Sequence, residues 1–578
     1  MTADPVRALV LAWRVLPASL RRALRLAGPY GRATTLWGSG ERDAALAALA
    51  AKPRRLAAFA LATDQQAAAA TAVAALPDDD KARPVLAARL AWRQGRLTEA
   101  IETLDTARGR PARRLRRALQ AERSVLTGTH PRLREAATAE TRTMIMGRFG
   151  QIGPTLTHDH ERGALRERER SAPGRILHLV TDALPTTSAG YTIRTHEVVR
   201  AQRAAGLDPH VVTRCAYPVA QGHLDGRRLV VLDGIPYHRL LPPVLPARAD
   251  KAADLGLDLA TRLTKKIRPA VLHAASNYAN ARIALAIGRR HNLPVVYEVR
   301  GFWEDTWLSR YPDAGQLAAS ELYQGNRDLE TRSMLEADLV VTLGEAMRDE
   351  IVARGVPAGK VLIVPNAVSE EFLRRPLPDA AGLREDLGIK DGQYVVGEVT
   401  TLVPHEGIGT LLEATRLLAD RGVPVRTLIV GDGPERAALQ RQAAAAGLGE
   451  AAIFTGRVPA ARVREFHALL DVFVVPRTRD RVCQLVTPLK PVEAMASGLC
   501  VVTSEVKALT EIIKHEVTGA LTIPQDPVSL ADCLEFLFYS PDIRRKLGDN
   551  ACEWVARDRT WAHQAELYTD AYARLGAT

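Results

Sequence analysis

LIVGDGPERAALQRQA, Leu428 to Ala443, decides the fold. A short β-branched run ends in Gly431, Asp432 and Gly433, and a helical stretch opens at Glu435. A strand that feeds a helix through a glycine turn is the repeating unit of an open parallel sheet, which takes its ligands in the crevice beyond the carboxyl ends of the strands. Outward from this unit the alternation continues. YVVGEV (Tyr394 to Val399) and the helical Gly409 to Arg421 precede it; AIFTG (Ala452 to Gly456), Val463 to Leu470, DVFVVP (Asp471 to Pro476), Pro491 to Ser497 and CVVTS (Cys500 to Ser504) follow. An earlier series holds ILHLV (Ile176 to Val180), HVVTR (His210 to Arg214), AVLHA (Ala270 to Ala274), PVVYEV (Pro294 to Val299) and DLVVTL (Asp338 to Leu343), with a helix over Ala279 to His291. The pattern predicts an α/β protein with two doubly wound, Rossmann-like domains in tandem, joined through the proline-rich VPNAVSEEFLRRPLPDA (Val364 to Ala380).

Residues 1–170 differ in texture, being rich in Ala, Leu and Arg at helical spacing and poor in β-branched runs. They are predicted to be all-α. AARLAWRQGRLTEAIETLDTA, Ala87 to Ala107, places small residues where two antiparallel helices would approach around Gly95, and it resembles one tetratricopeptide repeat. A helical bundle without repeat ancestry is the alternative. Val6 to Leu26 interleaves five arginines with leucines, as an interfacial amphipathic helix does, although Pro17 interrupts it. His158 to Arg170 reads as a charged linker. The expected domains are therefore 1–170, 171–375 (the acceptor side) and 376–578 (the donor side).

The 578 residues are too many for a single core, and 47% apolar with 25% charged is the composition of an ordinary globular chain. Five cysteines, none spaced as CxxC, argue against a zinc ribbon or a disulfide scaffold and fit a cytoplasmic location. No apolar run is long enough to span a membrane. The net charge of +12 is uneven: residues 1–170 carry a balance of +13 and the remainder −1. Arginine outnumbers lysine 67 to 11, which reflects codon usage in part and weakens a nucleic-acid reading. An anionic membrane at its inner face, or an acidic protein, is the expected partner of residues 1–170.

The glycines of Leu428 to Ala443 stand in company with FTGRV (Phe454 to Val458), TPLKPVEAMASGLCVV (Thr487 to Val502), ALTEII (Ala508 to Ile513) and HEVTGALT (His515 to Thr522). A nucleotide diphosphate needs a carboxylate for its ribose, helix N-termini and cations for its phosphates, and loop backbone for its base, and these segments offer all three. Over residues 175 to about 575 the chain resembles the retaining glycosyltransferases of family 4, of GT-B fold, including a last helix at Thr560 to Tyr572 that in this family crosses back to the first domain. TPLKPVEAMASG and YEVRGFWEDTW (Tyr297 to Trp307) are similar to a subgroup associated with cell-surface polysaccharide and glycoconjugate synthesis, which points to bacterial polysaccharide or cell-wall biosynthesis.

The resemblance implies donor contacts at Glu493 (on the ribose), Gly431, Gly433, Arg457, Val458, Thr487, Pro488 and Leu489. It also shows departures. The family's Glu-x7-Glu pair has Leu485 for its first carboxylate; its phosphate-binding Arg and Lys fall on Thr401 and Glu406; a first-domain histidine falls on Ala275. Either the phosphate cations come from elsewhere on the rim, with Arg477, Arg479, Arg481 and Lys490 at hand, or catalysis is lost and the fold kept. A diphosphate leaving group without metal needs cations as its charge develops, which favours the first explanation. Lys490 and Arg477 are the expected catalytic cations, and Glu304 joins them from the first domain. Gly190, Ser188, Arg194, Glu298 and Arg300 are expected on the acceptor side.

The reaction so implied is transfer with retention from a nucleotide-diphosphate sugar to a glycan or lipid-linked acceptor, with no cofactor and no metal. Two other readings stay open: a noncatalytic nucleotide-sugar-binding scaffold, favoured by the departures, and a nucleotide-sugar epimerase, for which no residue speaks.

Overall fold

A computed structural model describes residues 30–38, 42–63, 65–105, 107–127, 171–246, 248–311 and 314–577. The amphipathic stretch Val6 to Leu26 and the charged run His158 to Arg170 lie outside the described residues. Fourteen strands form among the described residues. β1 (Arg175–Val180), β2 (Asp208–Thr213), β3 (Leu229–Leu232), β4 (Ile235–Arg239), β5 (Val271–Ala275), β6 (Val295–Glu298), β7 (Leu339–Thr342) and β8 (Val361–Ile363) make one sheet. β9 (Tyr394–Val399), β10 (Val425–Val430), β11 (Ala452–Gly456), β12 (Val472–Val475), β13 (Cys500–Ser504) and β14 (Ala520–Thr522) make the second, in the order β11-β10-β9-β12-β13-β14. Strands such as Val472–Val475 are buried along their whole length, as the continuous apolar runs of a sheet covered by helices on both faces require. The architecture is the GT-B class expected from the sequence.

The chain divides into two compact units, one within residues 1–186, 210–295 and 311–337, the other within 187–209, 296–310 and 338–578. In the first unit, β1 pairs in parallel with β5, and β2 with β4. The sequence reading passed over β3 and β4, an antiparallel hairpin turned by Asp233 and Gly234, both at positive φ. Asp-Gly is the residue pair such a two-residue turn prefers.

Helices Arg83–Arg93 and Leu97–Glu102 form a hairpin around Gly95, whose φ is +76°, and helix Arg110–Leu126 packs beside them. Their apolar face is covered by the same unit. Leu119 and Leu126 share a buried cluster with Leu329 of helix Glu321–Glu336, and the Glu321 carboxylate accepts from the amide and hydroxyl of Thr98 at 2.6 and 2.5 Å. The helical segment is thus built onto the first unit as part of its core.

In the second unit β9 pairs with β10 on one side and β12 on the other, all parallel, so that the loops after β9, β10 and β12 share one rim. A large apolar core including Val395, Phe473, Val492 and Val501 packs the helices against this sheet. The last helix, Trp561–Arg574, starts at Thr560, whose hydroxyl accepts from the His563 amide, and lies against helix Gly190–Ala204 of the same unit.

Candidate active site

The rim of the second sheet carries a network of four charged side chains, three of them buried and Lys490 half-buried. Glu398 lies one residue from the end of β9, Glu406 on the turn Pro404–Glu406 that follows it, Arg477 just past β12, and Lys490 at the first position of helix Lys490–Ala496. Arg477 donates through Nε and Nη2 to the Glu406 carboxylate at 3.2 and 3.1 Å and through Nη1 to the Val486 carbonyl at 2.9 Å. Lys490 Nζ lies 2.8 Å from Glu398 Oε1, 2.8 Å from Glu406 Oε2 and 2.5 Å from Thr400 Oγ1. An ammonium has three donors, and all three are engaged.

The two carboxylates titrate in opposite directions. Burial pushes Glu398 up to about 7, against the pull of Lys490, and its second oxygen has no partner among the described residues. Burial acts on Glu406 in the same sense, but Arg477 and Lys490 overcome it and hold that carboxyl well below the usual range. Where the resemblance expects a lysine at 406, this chain has an anion that gathers one cation from each of two other segments. Sequence reasoning found Arg477 and Lys490 and missed Glu398, although a glutamate inside the apolar YVVGEV signals a buried charge.

Gly431 and Gly433 make this rim compact. A Cβ on Gly431, at φ +144°, would stand 1.7 Å from the Thr400 carbonyl oxygen, and one on Gly433 would stand 2.3 Å from that of Leu402. The loops after β9 and β10 therefore touch backbone to backbone. Glu493, in the first turn of helix Lys490–Ala496, makes no hydrogen bond from its carboxylate to another described residue; burial, with Glu197 and Glu371 nearby, pushes it up to about 7.

Around it, Thr487 and Pro488 are buried, and the Thr487 carbonyl accepts from Asn366 Nδ2 at 2.8 Å. Leu489 reaches to 3.9 Å from the position of a Cβ on Gly190, which starts helix Gly190–Ala204 with Ser188 exposed just before it. Val458 is half-buried against the core, whereas Arg457 is exposed and its guanidinium has no partner among the described residues. Leu485 lines a cavity of about 510 Å³ with Arg479, Arg481, Gln484 and Lys507. Arg481 is paired with Asp305 and Glu350 at 3.1 and 2.6 Å; the Arg479 guanidinium and the Lys507 ammonium have no partner among the described residues. Among the described residues, no group of three or more His, Cys, Asp or Glu is placed to hold a metal ion.

Three further expected site residues, Arg194, Glu298 and Glu304, are bonded deep within the fold. Arg194 is 2% exposed and bonds Glu298 Oε1 at 2.7 Å, Asn366 Oδ1 at 3.0 Å, the carbonyl of Val364 at 2.8 Å and the Tyr568 hydroxyl at 3.1 Å. Glu298 is fully buried and also receives Arg300 Nε at 2.9 Å and the Tyr568 hydroxyl at 3.2 Å. Glu304 is fully buried beside Arg354 Nη1 at 2.7 Å, and burial raises its pKa. Arg194 and Glu298, expected on the acceptor side, and Glu304, expected among the catalytic residues, each hold elements of the fold together in this way. Arg300 stands between the two roles, bonding Thr195 Oγ1 at 2.6 Å and the Tyr191 carbonyl at 2.9 Å beside exposed Gly190.

Residues 189–367 match the family described as "Glycosyl transferase 4-like domain" and residues 380–554 the family "Glycosyl transferases group 1". The D-inositol 3-phosphate glycosyltransferase of Nocardia farcinica is 29% identical over 253 residues, which is 42% of this chain and 54% of that protein. The chain therefore spans about half the length of that relative. The amylovoran biosynthesis glycosyltransferase AmsK of Erwinia amylovora is 26% identical, over 51% of this chain and 75% of its own. Among solved structures, Anabaena HepE in complex with UDP superposes with a TM-score of 0.53 at 18% identity, covering 69% of this chain and all of that one. Two adjoining segments, 189–367 and 380–554, thus each match a glycosyltransferase domain model, on a chain of GT-B fold.

Proposed function

We propose that the protein transfers a sugar, with retention of anomeric configuration, from a nucleotide-diphosphate sugar to a glycan or lipid-linked acceptor of cell-surface polysaccharide or glycolipid synthesis. The observation that carries this reading is the cation pair Arg477 and Lys490, held by Glu406 on the same rim as the open carboxylate of Glu493. In the reaction the bond between the sugar anomeric carbon and the diphosphate oxygen breaks, the acceptor oxygen bonds to that carbon, and its proton leaves with the diphosphate. Charge that grows on the leaving oxygen is met by fixed cations, which need no reorganisation at the moment of transfer. Arg479 and Lys507 bring uncommitted positive charge to the cavity beside Leu485. No metal enters this scheme. The HepE complex with UDP and the amylovoran glycosyltransferase support a nucleotide-sugar donor and a polysaccharide acceptor, and such donors place the work in the cytoplasm or at its membrane face.

A second reading is a noncatalytic nucleotide-sugar-binding scaffold. It is favoured by one specific observation, that all three donors of Lys490 are already bonded within the protein. A thermal-shift screen of UDP, GDP and ADP sugars followed by an assay of nucleoside diphosphate release separates the two, since a ligand of the folded state raises the melting temperature whether or not it turns over. Stabilisation with release only when a lipid-linked or glycan acceptor is added supports transfer. Stabilisation without release under any acceptor supports the scaffold.

A further inference from the structure

Among the described residues, the first unit leaves an aliphatic surface exposed. β3 is a four-residue strand paired only along β4 among the described residues, and its alternation turns Val230 inward and Leu229 and Val231 outward. Two loops extend this surface. The one before β3 presents Leu224, 95% exposed, and the one after β4 presents Val244, 76% exposed, followed by Leu245.

Arg239, the last residue of β4, is buried and ties the loop before β3 to the sheet: its amide donates to the Arg228 carbonyl at 2.8 Å, Nη1 lies 2.7 Å from Asp225 Oδ2, and Nη2 donates to Thr186 Oγ1 at 3.3 Å. Apolar side chains held outward in this way form a patch of the kind that marks an interaction surface.

The charge around the patch is positive. Arg227, Arg228, Arg239 and Arg248 stand against Asp225 and Asp250, and both aspartates are bonded to arginines within the rim. Arg228 is exposed, and its guanidinium has no partner among the described residues. Asp233 sits at the far end of the hairpin, in its turn.

We propose that this surface seats the protein on an anionic lipid membrane, with Leu224 and Val244 entering the headgroup region and Arg228 meeting lipid phosphates. The chemistry fits a lipid interface because aliphatic tips on separate loops can each enter a fluid surface, while a flanking arginine adds attraction to anionic headgroups. A protein partner is the poorer match, since the patch lacks the aromatic anchors that dominate protein interfaces. Such seating is independent of the donor reading.

The test is co-sedimentation of the full chain with vesicles of phosphatidylcholine alone and of phosphatidylcholine mixed with phosphatidylglycerol. The expected result is binding to the mixed vesicles, weakened by salt, and reduced about fivefold or more by Leu224→Glu with Val244→Glu, with a smaller loss for Arg228→Glu. Because these side chains are exposed, the melting temperatures of the variants should match the wild type, and Leu224→Trp should strengthen binding. Wild-type protein that stays in the supernatant, or a double variant that sediments as well as wild type, overturns the proposal. So does a dimer in solution that the double variant dissociates, which would make a second copy of the chain the occupant.

Discussion

Glu406 receives Arg477 on both of its oxygens, at 3.2 and 3.1 Å, and lies 2.8 Å from the ammonium of Lys490. One carboxylate thus fixes two cations that come from the loop after β12 and from the helix after it. The place where the family resemblance leads one to expect positive charge keeps it, delivered from different positions and clamped by an anion.

Removing the clamp and removing a clamped cation should have different signatures. Glu406→Ala leaves Arg477 buried without its carboxylate and half-buried Lys490 with Glu398 alone as its anion, and is expected to cost about 3 kcal/mol of stability, read by denaturant unfolding. Lys490→Ala takes the ammonium from Glu398, but that carboxyl, already raised to about 7, can take up a proton while Arg477 still satisfies Glu406, so a smaller stability loss is expected. Turnover of the donor should nonetheless fall by about 100-fold, the loss seen when a group stabilising developing charge is deleted. Unchanged turnover in Lys490→Ala would remove the lysine from the reaction.

The pH dependence has two opposed parts. Glu398 and Glu493 are each raised to about 7 in the folded protein, so the stability they contribute is complete below the ordinary glutamate pKa and is lost as pH rises through about 7. Glu406 is held low, so its contribution is present above the ordinary value and fades only under strong acid. Melting temperature should therefore decline between about pH 5 and pH 8. Glu493→Gln, which cannot ionise, should flatten that decline; a profile identical to wild type would mean that Glu493 ionises freely in the folded state.

Gly431→Ala is expected to destabilise by about 2 kcal/mol or more, because the new methyl meets a backbone carbonyl that cannot rotate away, at a φ of +144° that alanine resists. Loss of nucleotide binding should accompany it, since the Thr400 loop that carries this contact also holds Lys490. A thermal melt with and without the stabilising nucleotide sugar checks both.

The strands were legible because buried parallel strands are continuous apolar runs, and Val472–Val475 or Cys500–Ser504 can hardly be read otherwise. The β3 and β4 hairpin was passed over for the opposite reason. With Leu229 and Val231 facing outward it has no buried run, and only Asp233-Gly234 betrays it. The rim of the second sheet was legible as a place through its glycines and TPLKP, while the pairing within it was not. Arg194 shows why. Its partners Glu298 and Tyr568 lie 104 and 374 positions away in sequence, so no local pattern distinguishes a buried clamp from a surface arginine ready for an acceptor.

That clamp yields the last expectation. Arg194 joins helix Gly190–Ala204 to Glu298 at the end of β6, to the backbone at Val364 and Pro365, and to Tyr568 on the last helix, with Trp561 under its guanidinium at 5.5 Å. A lysine keeps the charge but lacks the planar fork, and cannot face Glu298, Asn366 and Tyr568 together. Arg194→Lys is therefore expected to lose about 2 kcal/mol and Arg194→Ala about 4 kcal/mol, the latter because the buried Glu298 carboxylate loses the Arg194 guanidinium bonded to it. Proteolysis should show the consequence locally, with cleavage within Trp561–Arg574 accelerated before the rest of the chain is attacked. If the last helix of Arg194→Ala resists protease as well as wild type does, the clamp is not what holds it in place.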